Sequence, residues 1–364
     1  MNTRIILAAV SAAALMPNLV SGAWSETVYT YQSNGVEWRF LIDEDTHTAM
    51  LGTCSAATGS LPSGKTLQDV SATTQPLSGI VVLPEVFTIT GVSYRVTTIG
   101  NRAFTYSRDN GNLTSLTFPS GAHKMYQALF YNFNSISNIC FKGPVTVAAG
   151  TQEQLELSGN GINSSSNSET SDLKTVFVGP NFTKGSNTIE FKKANGCTYF
   201  FPKYASGSQW SEKSTYVGDN ANVIYYGPEE ELDFKMGETT LTATVRTANA
   251  LTNVLNHVAI FKENFGLDTK INVTNNIEVA ADLITAENMQ YATFNSLMLK
   301  VATQAQLTSI LAVIPASVPF VIDASDAKEE LTLPQGREIY VRVSGDGKQG
   351  KYTPKIRGLI ITFH

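Results

Sequence analysis

Apolar positions in this chain gather into a short module in which large aliphatic or aromatic residues stand three and then two apart, ahead of a proline. The clearest copies are Leu113-Thr-Ser-Leu116-Thr-Phe118-Pro119 and Ile136-Ser-Asn-Ile139-Cys-Phe141-Lys-Gly-Pro144. A third reads Leu173-Lys-Thr-Val176-Phe-Val178-Gly-Pro180. Leu77-Ser-Gly-Ile80-Val-Val82-Leu-Pro84 precedes these, and a weaker Tyr199-Phe-Phe201-Pro202 follows. With Ile80, Leu116, Ile139, Val176 and Tyr199 set in one column, the intervals are 36, 23, 37 and 23 residues. Self-similarity at such a period marks a stack of like units, each covering its neighbour's apolar edge. Each module reads as a strand, ended by a proline that cannot donate to the ladder.

The rest of each unit can be placed around that strand. Val96-Thr-Thr-Ile99-Gly-Asn-Arg-Ala103-Phe104 aligns with Met125-Tyr-Gln-Ala-Leu129-Phe130, so Ile99 matches Met125 and Phe104 matches Phe130. These segments form half-turns with one aromatic anchor each. The longer intervals are then 23-residue units with insertions, one containing Thr105–Asn112 and the other spanning about Thr151–Asp172. The second is too polar to pack and is expected as a surface loop. Ahead of the units, Val36-Glu-Trp38-Arg-Phe40-Leu-Ile42 alternates as a strand, Asp43-Glu44-Asp45 turns, and Thr46–Leu51 returns as a hairpin.

The sequence V-T-T-I-G-N-R-A-F followed by N-L-T-S-L-T-F-P resembles the BspA-like leucine-rich repeats of bacterial surface proteins. The opening hairpin with Thr48-Ala49, and a closing turn from Cys197-Thr-Tyr-Phe-Phe-Pro202, Trp210 and Val223-Ile-Tyr-Tyr226, are similar to that family's ends. The resemblance covers roughly residues 28–228. This chain departs from the family in its few units, its two insertions and a third unit without the Ala-Phe half. The resemblance implies a leucine-rich repeat solenoid that binds protein or glycan at a bacterial surface.

Pro228-Glu-Glu-Glu231 is a charged break, and a domain boundary is placed there. Beyond it, strand-like runs recur at Thr240–Arg246, His257–Phe261, Lys270–Val273, Leu297–Ala302, Pro319–Ile322, Glu338–Val343 and Lys355–Phe363. Short strands with turn signals predict a β-sandwich-like domain. One helix is expected from Thr303, where Thr303 and Gln306 have capping-box spacing, and Ile314-Pro315 ends it. The fold class is therefore mainly β: a short irregular solenoid with an N-terminal hairpin cap, then a sandwich with one short helix. The divisions are a signal peptide at 1–23, the hairpin cap and connection at 24–75, repeats at 76–228 and the β-rich domain at 229–364.

Composition changes the picture mainly by naming a compartment. Arg4 precedes an apolar run from Ile5 to Met16, and Ser21-Gly22-Ala23 supplies small residues for cleavage. That is a secretory signal peptide, too short to anchor in a bilayer. No later stretch reads as a membrane helix, so an exported protein, extracellular, surface-bound or periplasmic, is expected. Formal net charge is −5 with no concentration of Lys or Arg, which gives nucleic acid or anionic membrane no electrostatic basis. Three distant cysteines, Cys54, Cys140 and Cys197, exclude a disulfide framework, while a single bridge stays open.

Several motifs carry less than they spell. Gly59-Ser-Leu-Pro-Ser-Gly64-Lys65-Thr66 matches the phosphate-loop expression, yet its preceding residues are polar and Pro76 soon follows, so it reads as a turn. Gly345-Asp-Gly347-Lys-Gln-Gly350 leads into Tyr352-Thr353-Pro354 and reads as a loop between strands. Asp43-Glu44-Asp45 lacks the ligand count of a calcium site. None of His47, His123, His257 and His364 has a second His or Cys at zinc-ligand spacing. No cofactor, metal or catalytic residue is expected, and Cys140 inside a strand reads as an inert thiol.

One surface does follow from the pattern. In each module the residue between the last two apolar positions points out of the sheet. Those residues are Val81, Thr117, Cys140, Phe177 and Phe200, an outward ladder that forms a candidate binding strip unless another part of the chain covers it. The expected role is non-enzymatic binding or adhesion to a host or envelope protein or glycan. The alternatives are carbohydrate handling by the C-terminal domain, as a glycan binder or weak hydrolase, and a structural envelope component that self-associates through apolar edges.

Overall fold

Asn34 and Gly35 both take positive φ, 53° and 75°, as the tightest hairpin turns require. They join strand β1 (Tyr29–Ser33) antiparallel to β2 (Val36–Asp43). The Asp43 carboxylate then accepts from the backbone N–H groups of Asp45 and Thr46 at 3.0 and 3.2 Å. That turn delivers β3 (Thr48–Leu51) back onto β2. The acidic turn and its return strand are as expected, and β1 adds a strand before them.

These elements belong to a computed structural model, which describes residues 24–55, 61–104, 106, 112–121, 123–125, 136–143, 145–147, 154–156, 173–180, 188–190, 196–203, 221–274, 277–294, 297–314, 320–324, 327, 329, 331–332 and 340–342. A short helix α1 (Leu67–Val70) leads into β4 (Ser78–Val82), β5 (Val86–Ile89), β6 (Val92–Ile99), β7 (Asn112–Phe118), β8 (His123–Met125) and β9 (Asn138–Phe141). Then come β10 (Val145–Val147), β11 (Gln154–Glu156), β12 (Thr175–Val178), β13 (Thr188–Glu190), β14 (Thr198–Pro202) and β15 (Asn222–Tyr226). Of the polar insertion, only β11 lies among the described residues, paired parallel with β13. The signal peptide, Phe130, Trp210 and the 345–350 loop lie outside them.

The modules form a sheet in the order β15-β14-β12-β9-β7-β4, with every pair parallel. Each strand thus pairs with the modules before and after it in the sequence. A second sheet runs β1-β2-β3-β6-β8-β10, with β5 antiparallel on β6. There Ile99 stands opposite Met125, as the half-turn alignment requires. One buried cluster joins the two sheets, taking Trp38, Phe40, Phe87 and Ile99 from the second and Leu116, Ile139, Val176 and Tyr199 from the first. Those four module residues lie opposite one another in a single column. Phe118 and Phe141 stack beside it, ring centres 4.6 Å apart. Burying each such side chain contributes about 1.5–3 kcal/mol.

The first member of that column is not the one expected. Ile80 lies opposite Ser115, and Val81 takes the place opposite Leu116. The register shifts where Gly79–Ile80 faces Leu113–Ser115, leaving Thr114 as an extra residue in β7. Such a bulge moves every following side chain of the partner strand to the other face. Val81 is therefore buried with the core, while Ile80 and Val82 turn outward.

The C-terminal part is not the expected sandwich. Its elements are β16 (Leu232–Met236), β17 (Thr240–Val245), α2 (Ala248–Leu255), α3 (Val258–Glu263), β18 (Asp268–Val273), β19 (Glu278–Ala280), α4 (Ala286–Tyr291), β20 (Ala292–Phe294), β21 (Leu297–Lys300), α5 (Gln304–Val313), β22 (Phe320–Asp323) and β23 (Tyr340–Arg342). They make two four-stranded sheets, β16-β17-β18-β20 and β19-β21-β22-β23, parallel at every pair but β16–β17. Parallel neighbours need a crossover, and helices lie in the connection from β17 to β18 (α2 and α3) and from β21 to β22 (α5). Of His257–Phe261, expected as strand, Val258–Phe261 lies in α3 and His257 just before it, because Leu251, Val254, Leu255, Val258 and Phe261 recur at helical spacing and are all buried. The helix expected at Thr303 is present with its capping box: Gln306 N–H donates to the Thr303 hydroxyl while the Gln306 side chain accepts from Thr303 N–H. The molecule as a whole is mainly β.

Candidate functional site

The outward ladder is not a free surface. Thr117, Cys140, Phe177 and Phe200 do lie opposite one another in one row, as the module alignment requires. All four are completely buried. Val81, the fifth member, belongs to the opposite face through the bulge, and the β4 residue in this row is Val82. What covers the row is the C-terminal part of the same chain. Cys140, Phe177 and Phe200 share a core cluster with Phe234 of β16, Phe261 of α3 and Leu241 of β17.

The cover is built from aromatic contacts. The Phe177 ring meets Phe234 at 5.2 Å and Phe261 at 5.5 Å, both edge to face. Phe200 meets the same two rings at 5.8 and 5.4 Å. Tyr226 stacks on Phe177 at 5.9 Å and donates its hydroxyl to the Val178 carbonyl. Edge-to-face pairs match the positive rim of one ring to the negative face of another, each adding about 0.5–1.5 kcal/mol beyond burial. At the β7 end the contact turns polar: the hydroxyls of Ser115 and Thr117 donate to the Asn264 carbonyl at 3.4 and 3.3 Å. Lys142 reaches the Glu238 carbonyl at 3.1 Å. The strip is a seam between two halves.

Burial along the seam also shifts the titratable groups in it. Burial pushes the Cys140 thiol up to about 12, against the opposing pull of the Lys142 ammonium. Cys197, in the core beneath, is likewise pushed up to about 12 by burial. All three cysteines are buried and none is bridged to another, and the upward shift keeps the Cys140 and Cys197 thiols protonated at neutral pH. His257 stands at the residue before α3, without a side-chain capping bond, with its ring against Phe200 at 5.1 Å and its Nδ1 2.7 Å from the Asn253 carbonyl. Desolvation holds its pKa below the usual value of 6.5, the Asn253 carbonyl opposing.

The phosphate-loop lookalike has a local occupant. Thr66 N-caps α1, and Asp69 turns its carboxylate back onto both the Thr66 N–H and hydroxyl, each at 2.7 Å. Those bonds, the side-chain one first, hold the Asp69 carboxyl below its usual range. A helix of four residues whose first turn already holds a carboxylate is a capped turn. Gly59 and Ser60 lie outside the described residues. The described residues contain no group of three or more His, Cys, Asp and Glu able to hold a metal ion. No described helix is long and apolar enough to cross a membrane.

What stays open is the strand at the end of the ladder. β4 has no neighbour on its far side among the described strands. The Leu83 N–H bonds the Thr117 carbonyl at 2.9 Å. Backbone groups alternate sides along a strand, so those of Val81 also turn toward β7, and those of Ile80 and Val82 turn to the open edge. Ile80 is 51% and Val82 43% exposed, the two most open large apolar side chains among the described residues. The residues Ser78-Gly-Ile-Val-Val82 include no charge. The module pattern put Ile80 in the core column and Val81 outside; a register fixed by the bulge reverses them.

Fold and site together define a mainly β chain whose two parts close on an aromatic seam and whose ladder ends in a bare apolar edge. No family model, curated protein or solved structure matches the chain.

Proposed function

We propose that this is an exported, non-enzymatic binding or adhesion protein, in which a BspA-like leucine-rich repeat scaffold engages a host or envelope protein or a glycan. The observation that supports the reading most directly is the parallel sheet in which Leu116, Ile139, Val176 and Tyr199 hold one column through four successive modules. A scaffold of repeated rungs presents surface without needing a catalytic cleft. The aromatic seam adds a second part to that scaffold and locks its position. The alternative of a structural envelope component draws support from the exposed, uncharged β4 edge.

The test uses the whole mature chain, because a fragment ending near residue 228 would bare Phe177 and Phe200. Immobilised protein is challenged with host extracellular proteins and a glycan panel. Saturable capture of a particular protein or glycan is expected. Release of reducing sugar from the panel, with no retained ligand, would transfer the function to carbohydrate hydrolysis. The exported state is checked separately by N-terminal sequencing of protein recovered outside the cytoplasm, which is expected to begin at Trp24.

A further inference from the structure

We infer that β4 is a dimerisation strand: two copies of this chain pair their β4 edges antiparallel about a two-fold axis through Val81, joining two six-stranded sheets into one. This goes beyond the binding role and does not depend on what the protein captures.

The argument starts with the edge itself. Sheet edges of soluble proteins are ordinarily protected by lysines, inward charges, bulges on the edge strand or a covering segment, because an open row of N–H and C=O groups templates another strand. β4 has no charged residue; Gly79 takes a φ of 66° where the pairing with β7 shifts, and from Ile80 to Val82 the register with β7 runs without a further shift. Past Gly79, its open row consists of the N–H and C=O groups of Ile80 and Val82, the same two residues whose side chains are exposed. Backbone need and apolar need coincide on two residues.

That coincidence identifies the occupant. In an antiparallel pair, residues whose backbone groups face the partner form the hydrogen-bonded pairs, and the residue between them forms the non-hydrogen-bonded pair. Placing Val81 opposite the second copy's Val81 sets Ile80 opposite Val82 and Val82 opposite Ile80. Both are then hydrogen-bonded pairs, which satisfies the edge groups of both copies at once. An axis perpendicular to the sheet keeps each face on its own side, so four exposed side chains, two from each copy, meet as one apolar strip. Cross-strand pairs of β-branched residues are the favourable kind. The pairing satisfies the open groups of Ile80 and Val82 in both copies at once, so this stretch is self-complementary, as a closed two-fold contact must be. The next exposed apolar residue along the chain, Val86, opens the β5 strand that follows.

Sedimentation of the full mature chain over a range of concentrations tests this. A reversible monomer–dimer equilibrium is expected. The I80K/V82K variant, with far-UV circular dichroism unchanged, sets like charges across the axis and is expected to weaken dimerisation on the order of a hundredfold or more. I80T/V82T keeps strand propensity and removes apolar area, so it is the readout if the lysine variant fails to fold; it is expected to weaken the dimer to a lesser degree. Register is read by oxidation: I80C/V82C is expected to crosslink between copies, whereas I80C alone is not, the three native cysteines being buried. A monomer at every concentration overturns the proposal. So does a dimer indifferent to both β4 variants, or a growing series of larger species, which would indicate head-to-tail stacking in place of a closed pair.

Discussion

Phe177 sits at the centre of an aromatic group in the seam, meeting Phe200, Tyr226, Phe234 and Phe261 within 6 Å. Truncation to alanine would remove those contacts from a site flanked by strand on one side and helix on the other, which cannot collapse freely. Phe177→Ala is expected to cost about 3–5 kcal/mol, read as a lower urea midpoint. Cys140 beside it gives a chemical readout of the same closure. With its thiol pushed up to about 12, it should resist a thiol reagent in the folded protein and react at once on unfolding. Fast labelling of the native state at that residue would mean that the seam opens. Backbone contact matters equally at Gly179, where an added Cβ would sit 2.6 Å from the Lys142 carbonyl oxygen. Gly179→Ala must therefore push neighbouring rungs apart, and a fall in melting temperature is expected. The Gly-Pro repeated after Phe141-Lys and Val178 was visible in the sequence, but the rung-to-rung approach that demands the glycine was not.

At the scale of elements, caps and crossovers divided legible from illegible. The α5 capping box needed only Thr303 and Gln306 three residues apart, a local arrangement that the sequence displays directly. Thr303→Ala should cost about 1 kcal/mol, measured by thermal unfolding. α3 was harder to see, because a six-residue helix beginning Val-Ala-Ile-Phe also reads as a strand until its buried face is known. His257, just before α3 with its ring against Phe200, is expected to make this contact pH-dependent. The native protein holds the imidazole below its usual 6.5, so near and below that value the unfolded chain binds more protons than the folded one. Stability is therefore lost as pH falls through about 6.5 toward the folded-state value. The urea midpoint of wild type relative to His257→Gln is expected to drop over that window, and a flat difference would show that the ring titrates equally in both states.

For the whole molecule, the seam makes one cooperative body of what the sequence divided at Pro228-Glu-Glu-Glu231. Residues 140, 177 and 200 share their core with residues 232–331, and Lys203 pairs with Glu230 across the break at 2.7 Å. A single unfolding transition by tryptophan fluorescence and by far-UV circular dichroism is expected, and two resolved transitions would show that the halves fold apart. The sequence by itself determined the rungs: their apolar column, their stopping prolines and their order follow from contacts between neighbouring modules, which a repeat spells out. It also determined that alternate residues face away from that column. Only the tertiary structure decided what meets those residues, because Phe234 and Phe261 lie far along the chain and no periodicity links them to Phe177. It decided the β4 register for a similar reason. A one-residue bulge leaves composition and hydropathy unchanged, yet it sends Val81 inward and leaves Ile80 and Val82 exposed at the end of the sheet.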